Sequence, residues 1–158
     1  MPFPSPPRGL KAIPWRLPIF LYRSGLGWLL GKGFLLLRHI GRKTGKARYA
    51  VLEIIHSDPD AGSYYVVSGF GTMSDWYQNI RGNPKAEIQI GKDRFTAQAQ
   101  QLAPSQGADI LQLYAKNKPG NLETLNKIMG YEIEFSPEGI REFGRQIPVI
   151  QFSIMKEE

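Results

Sequence analysis

Apolar and polar positions alternate in several short runs along this chain, and they recur with a helical period in only a few places. FLLLRH (Phe34 to His39) and RYAVLEIIH (Arg48 to His56) read as strands, being short and rich in branched or aromatic residues, with a glycine-bearing turn between them. SYYVVSG (Ser63 to Gly69), AEIQIG (Ala86 to Gly91), RFTAQAQQL (Arg94 to Leu102) and VIQFSI (Val149 to Ile154) extend the set. Helical spacing appears first after Pro18, where Ile19, Tyr22, Leu26, Leu29 and Leu30 share a stripe that predicts an amphipathic helix over 18–30, ended by Gly31 and Gly33. A second helix starts at Ser74 with Asp75 in its first turn and stops at Gly82, Asn83 and Pro84. Three more are expected after caps at Ser105, Asn121 and Ser136, the last with Pro137 at its first position.

This order gives one helix, five strands interrupted by another helix, then helices and a closing strand. It predicts a mainly β domain with peripheral helices (α+β), built as a small closed or split β-barrel. A parallel doubly wound sheet is disfavoured because strands and helices do not alternate. The glycines at 25, 27, 31 and 33 follow no strand and lack dinucleotide-fingerprint spacing, so they read as helix packing and exit. The 158 residues fit one domain, 1–158, with a Pro-rich leader over 1–17.

Charge changes this picture more than composition does. Residues 1–52 carry ten of the 20 Lys and Arg and no Asp or Glu, while the remainder holds all 14 acids. Such segregation creates a one-sided positive potential whose natural partners are phosphates, on a cofactor, a nucleic acid or a lipid headgroup. The apolar N-terminal segment is interrupted by Arg16, Arg23, Lys32 and Arg38, so it falls far short of the roughly 20 consecutive apolar residues a span needs. It also lacks the layout of a secretory signal. A cytoplasmic protein is expected, with peripheral contact to a membrane left open. The absence of cysteine excludes disulfides, thiolate metal sites and cysteine nucleophiles.

Two stretches carry candidate chemistry. GRKTGKAR places Arg42, Lys43, Lys46 and Arg48 around a tight turn with the Thr44 hydroxyl, an arrangement that either stands idle in solvent or is completed by an anion from outside. SGFGTMSDWYQN offers Gly69 and Gly71 for close backbone approach, and Trp76, Tyr77 and Asn79 as aromatic faces and an amide, although Trp76 also reads as a core anchor. His39 and His56 have no carboxylates at ligand spacing, so no metal site is expected. Glu53 lies in an apolar strand and either faces solvent across the pleat, the reading preferred here, or accepts a hydrogen bond near the site. No triad or carboxylate pair stands out, which suits a protein that holds a cofactor for chemistry it does not perform itself.

Taken together, FLLLRHIGRKTGKARYAVLEI, YYVVSGFGTMSDWYQNIRGNPKAEIQIG and the late QIPVIQF resemble the deazaflavin-dependent nitroreductase family of coenzyme F-420 oxidoreductases, over roughly Ile19 to Ile154. The resemblance implies a split β-barrel related to the FMN-binding ones, holding coenzyme F-420, an 8-hydroxy-5-deazaflavin, in its groove. It implies that Arg42, Lys43, Thr44 and Arg48 bind the phosphate-bearing tail. Tyr49, Ala50, Val51 and Leu52 would run beside the ring by backbone contacts. Val67, Ser68, Gly69, Phe70 and Gly71 would line the other side with Asp75, Trp76, Tyr77 and Asn79. Tyr131, and beside it Tyr114, are the candidates for a substrate-side tyrosine. The implied activity is hydride transfer from the reduced cofactor to a quinone-like, nitro or other conjugated acceptor. FMN, whose single phosphate the same turn could hold, is the alternative cofactor, and a non-enzymatic basic module binding anionic lipid is the alternative class. Nucleic acid is not expected, because no helix-turn-helix or aromatic RNA-binding signature accompanies the basic segment. The sequence leaves the oligomeric state open.

Overall fold

The structure, a computed structural model, describes residues 3–12, 16, 18–19 and 32–156. Seven strands form one antiparallel sheet: β1 (Phe34–Ile40), β2 (Ala47–Glu53), β3 (His56–Asp58), β4 (Ser63–Val67), β5 (Lys85–Ile90), β6 (Asp93–Gln101) and β7 (Val149–Ile154). Their order is β2-β1-β5-β6-β7-β4-β3, so β2 and β3 occupy the two ends of the sheet. These ends are consecutive in sequence. The expected single strand from Arg48 to His56 breaks at Ile54 and Ile55, where the Ile54 N–H donates to the Gly33 carbonyl (2.8 Å) and the Ile55 N–H to the Tyr65 carbonyl (2.9 Å). One step of chain thus passes from the β1 side to the β4 side and curls the sheet into a split barrel with a slit along β2.

Four helices that lie wholly among the described residues dress this sheet: α1 (Asp75–Gly82), α2 (Pro104–Asn117), α3 (Pro119–Met129) and α4 (Pro137–Gln146). Period-two alternation sorts side chains between two apolar cores. Leu35, Leu37, Ile54, Val66, Ile88, Ile150 and Phe152 fill the barrel together with Trp76, Tyr77 and Ile80 of α1. Their sequence neighbours Ile55, Tyr65, Val67 and Val149 face the other way and pack under Leu111, Tyr114 and Phe143 of α2 and α4.

Several expected ends shift for local reasons. The second helix starts after Ser74 as expected, but the Ser74 hydroxyl makes no cap bond. Instead it lies 3.2 Å from the Ser68 hydroxyl. Helix α2 begins at Pro104 rather than after Ser105, because proline suits a first turn, and the Gln106 side chain accepts from the Ala103 N–H at 3.2 Å. Pro119 likewise starts α3 ahead of Asn121. Ser136 does cap α4, accepting from the Gly139 N–H at 3.0 Å. Glu53 does not face solvent as expected: it accepts from the Tyr114 hydroxyl (2.9 Å) and the Asn121 amide (3.1 Å), tying α2 and α3 to β2. Pro18 and Ile19 are helical, and Tyr22, Leu26, Leu29 and Leu30 of the expected stripe lie outside the described residues.

Candidate functional site

The basic turn is a tight hairpin tip. The Gly41 N–H donates to the Lys46 carbonyl and the Gly45 N–H to the Gly41 carbonyl, both at 2.8 Å. Gly45 sits at φ 69°, where other residues are strained. A side chain at Gly41 would meet the Thr44 hydroxyl at 2.8 Å. That hydroxyl accepts from the Lys46 N–H (3.3 Å) and so closes the loop from inside.

Helix α1 pins this tip. The Asn79 side-chain oxygen accepts from both the Arg42 backbone N–H (3.0 Å) and its guanidinium (2.9 Å). A second Arg42 nitrogen pairs with Asp75 at 3.4 Å. One cation of the cluster therefore has an acid the loop itself does not supply. Among the described residues Lys43, Lys46 and Arg48 have no ion pair. Behind the tip the Asn79 amide nitrogen lies 2.9 Å from His39 Nδ1. His39 is 4% exposed. Burial pushes its pKa down to about 4, with Asp75 pulling the other way and Arg48 adding to the fall.

The tip and β2 form one wall of a cleft of about 1640 Å³. The strand offers more than side chains. The bonds Gly41 to Lys46 and Ile54 to Gly33 fix the phase of the ladder, so Arg48, Ala50 and Leu52 direct their backbone groups to β1 and Val51 directs its own outward. Val67, Gly69 and Phe70 form a second wall, α1 contributes Asp75, Trp76 and Asn79 beside the tip, and the α3 face bearing Asn121, Thr124, Leu125 and Ile128 completes the lining. Leader residues Pro6, Pro7 and Arg8 lie along it too.

Most of the residues singled out in the sequence reach this cleft: Arg42, Lys43, Thr44, Arg48, Tyr49, Ala50, Val51, Leu52, Val67, Gly69, Phe70, Asp75, Trp76 and Asn79. Lys46 and Tyr114 do not line it, and neither do Ser68, Gly71, Tyr77 and Tyr131. Ser68 is fully buried and donates to the Gly71 carbonyl. Gly71 lies under Phe3, whose ring atoms a side chain there would meet at 2.8 Å. Tyr77 points into the barrel and donates to Gln101 at 2.7 Å. Tyr131 packs against Phe3 and Phe143, and its hydroxyl donates to the Gly69 carbonyl. Burial raises the Tyr131 pKa, and burial together with Glu53 raises that of Tyr114, so neither hydroxyl is poised to give up a proton. Trp76 is both core and wall, 9% exposed with an edge on the cleft. The sequence reading passed over His39 and the α3 face as cleft residues. Both were visible in outline, since His39 shares the core phase of Leu35 and Leu37, and 121, 124, 125 and 128 follow helical spacing.

Residues 22–127 match the family model described as F420H(2)-dependent quinone reductase. The chain belongs to this family. Two Mycobacterium tuberculosis relatives are similar to this F420H(2)-dependent quinone reductase family member. One, whose name proposes the same activity, is 39% identical over 44% of this chain and 64% of its own length. The other, named an F420H(2)-dependent quinone reductase, is 33% identical over 44% of this chain and 47% of its own. The chain thus spans about half to two thirds of the curated relatives it matches. Among solved structures, an F420-H2 dependent reductase, FDR-A, aligns at TM-score 0.53 and 21% identity over 77% of this chain and 95% of that one. The heme storage protein HutZ from Vibrio cholerae aligns at 0.55 and 10% identity over 87% and 92%. These likenesses establish the split barrel, and their different chemistries show that the fold does not choose the ligand. The family name specifies F420 and a quinone, and names neither FMN nor a nitro compound.

The residues fit such a cofactor. A cation cluster three of whose members have no ion pair among the described residues suits an anionic tail, and an outward strand edge lining the same cleft as Gly69 suits the rim of a flat ring.

Proposed function

We propose that this chain, acting as one domain, is an F420-dependent reductase whose acceptor is a quinone or a similar conjugated carbonyl compound. The observation that carries the reading is the placement at the cleft of Lys43 and Arg48, which have no ion pair among the described residues, on a hairpin tip that also bears Lys46. When bound and reduced, the deazaflavin supplies a hydride. Lys43, Thr44 and Arg48 dock the anionic tail, while Arg42, already held by Asn79 and Asp75, keeps the tip in place. Val51 presents backbone donor and acceptor to the ring edge, and Gly69 lets the far wall approach closely. Tyr131 serves this wall by fixing the Gly69 carbonyl. Water entering the open cleft supplies the proton that accompanies reduction, since Tyr114 and Tyr131 hold theirs.

Titration of purified protein with oxidised F420 and, separately, with FMN tests the reading, and tighter binding of F420 is expected. Equal or tighter binding of FMN would return the flavin alternative, and binding of neither would leave a basic interaction module. A lipid-soluble quinone further implies contact of the basic first third with anionic membrane, each nearby Lys or Arg adding about 1 kcal/mol. Sedimentation with anionic vesicles should then weaken with added salt. A protein that stays in the supernatant at low salt has no such contact.

A further inference from the structure

We infer that His39 is a ligand-binding residue: its Nε2–H, held in that tautomer by Asn79, donates to an oxygen of a phosphate-class group seated beside Arg48 at the hairpin tip. The assignment of the proton follows from the bonding pattern. A backbone N–H can only donate, so the Asn79 atom that meets the Arg42 N–H is the side-chain oxygen. The other end of that amide, which faces His39, is therefore the NH2 group. Nδ1 must accept from it, and the ring proton of the neutral imidazole sits on Nε2.

The environment directs that proton. Every buried side-chain nitrogen and oxygen among the described residues has a hydrogen-bond partner. His39 makes its one hydrogen bond through Nδ1, so Nε2 is not a sealed atom but opens to the cleft that His39 lines. Across the ladder His39 is paired directly with Arg48, and directly opposed side chains emerge on one face about 5 Å apart at Cβ. Among the described residues the charged groups around the ring are Arg48 from β2, Arg42 from the tip and Asp75 from α1. Asp75 is engaged by Arg42, leaving Arg48 as the cation facing an incoming anion. A neutral imidazole adds a donor there without adding to the repulsion among the cations.

The inference rests on the cofactor reading, and the test separates the two. The chain has two histidines, so 15N spectra of the imidazoles resolve His39 from His56 with the aid of a His56 variant. At pH 7 the apoprotein should show His39 as the Nε2–H tautomer, and oxidised F420 should move its Nε2 resonance. His39→Leu should bind F420 at least tenfold more weakly, and His39→Gln, which keeps an N–H donor near the Nε2 position, within about threefold of wild type. The 31P resonance of the bound cofactor should differ between wild type and His39→Leu. An Nδ1–H tautomer, an unmoved Nε2 resonance on F420 binding, or identical 31P resonances would overturn the assignment, whether or not the variants fold well. If wild type binds no F420, the cofactor reading fails by itself, and inorganic phosphate becomes the probe: a shifted Nε2 resonance upholds the inference and an unmoved one ends it.

Discussion

The two walls of the cleft treat their polar groups in opposite ways. On the turn that follows β4, polar atoms are satisfied within the protein: Ser68 donates to Gly71, Tyr131 to Gly69, and the Gln78 amide to the Thr72 carbonyl at 2.9 Å. Of the four cationic side chains on the hairpin tip, only Arg42 has an ion pair among the described residues, while Lys43, Lys46 and Arg48 have none. Both walls are short and glycine-bearing, so turn chemistry does not separate them. The difference is one of duty, since a wall with all its partners inside supplies shape, and a wall with partners left over supplies recognition.

The largest expected effect breaks this contrast at the tip. Replacing Lys43 and Arg48 together by Ala should weaken F420 binding by about 3–6 kcal/mol, taking roughly 1.5–3 kcal/mol for each hydrogen bond to a charged group, with the apo melting temperature almost unchanged. An unchanged affinity in isothermal titration would remove both residues from the site. The next effect lies behind the tip. The unfolded chain protonates His39 near 6.5 and the folded chain near 4, so the unfolded state binds more protons in that window. Stability should therefore fall by roughly 3 kcal/mol as pH drops from about 6.5 to 4, and be flat in this group above pH 7. Urea melts of wild type and His39→Gln across that range check it, because the variant should lack this increment. The smallest effect is on the shape wall. Tyr131→Phe leaves the Gly69 carbonyl without its donor and should cost about 1–3 kcal/mol of stability, read from Tm, while F420 affinity falls by less than the tip variant loses. An affinity loss equal to that of the tip variant would erase the contrast.

Much of this architecture was legible in the sequence because it rests on period. Six short runs read as strands became strands at nearly the expected places, one of them broken in two, and Ser136 with Pro137 started α4 as read. The misreadings share a cause, which is competition from distant partners. Ser74 and Asn121 have cap-like side chains, yet Ser68 and Glu53 engage them. The break at Ile54 and Ile55 was hidden because both residues are strongly apolar, and which core each enters depends on strands far along the chain. The cation cluster was visible as composition, but that Asp75 and Asn79 would claim Arg42 could not be read without α1 folded back onto the tip. Tyr77 was read as an aromatic face of α1 and Tyr131 came by likeness to a family, whereas helix phase turns the first into the barrel and burial holds the second behind Gly69.

The slit along β2 also bears on how copies of this protein behave toward one another. An unpaired strand edge is a template on which a second chain can assemble, and natural sheets defend such edges with charge, lysine above all. Here the Arg48 end of the edge and the adjoining tip carry that charge, which should oppose the pairing of two copies along β2. Light scattering of the apoprotein should rise as salt screens the tip, and more so in Lys43→Ala with Arg48→Ala, while insensitivity to both would show that the edge needs no such guard. If scattering does rise, the cations that wait for a ligand have a second task, guarding the edge while the cleft is empty.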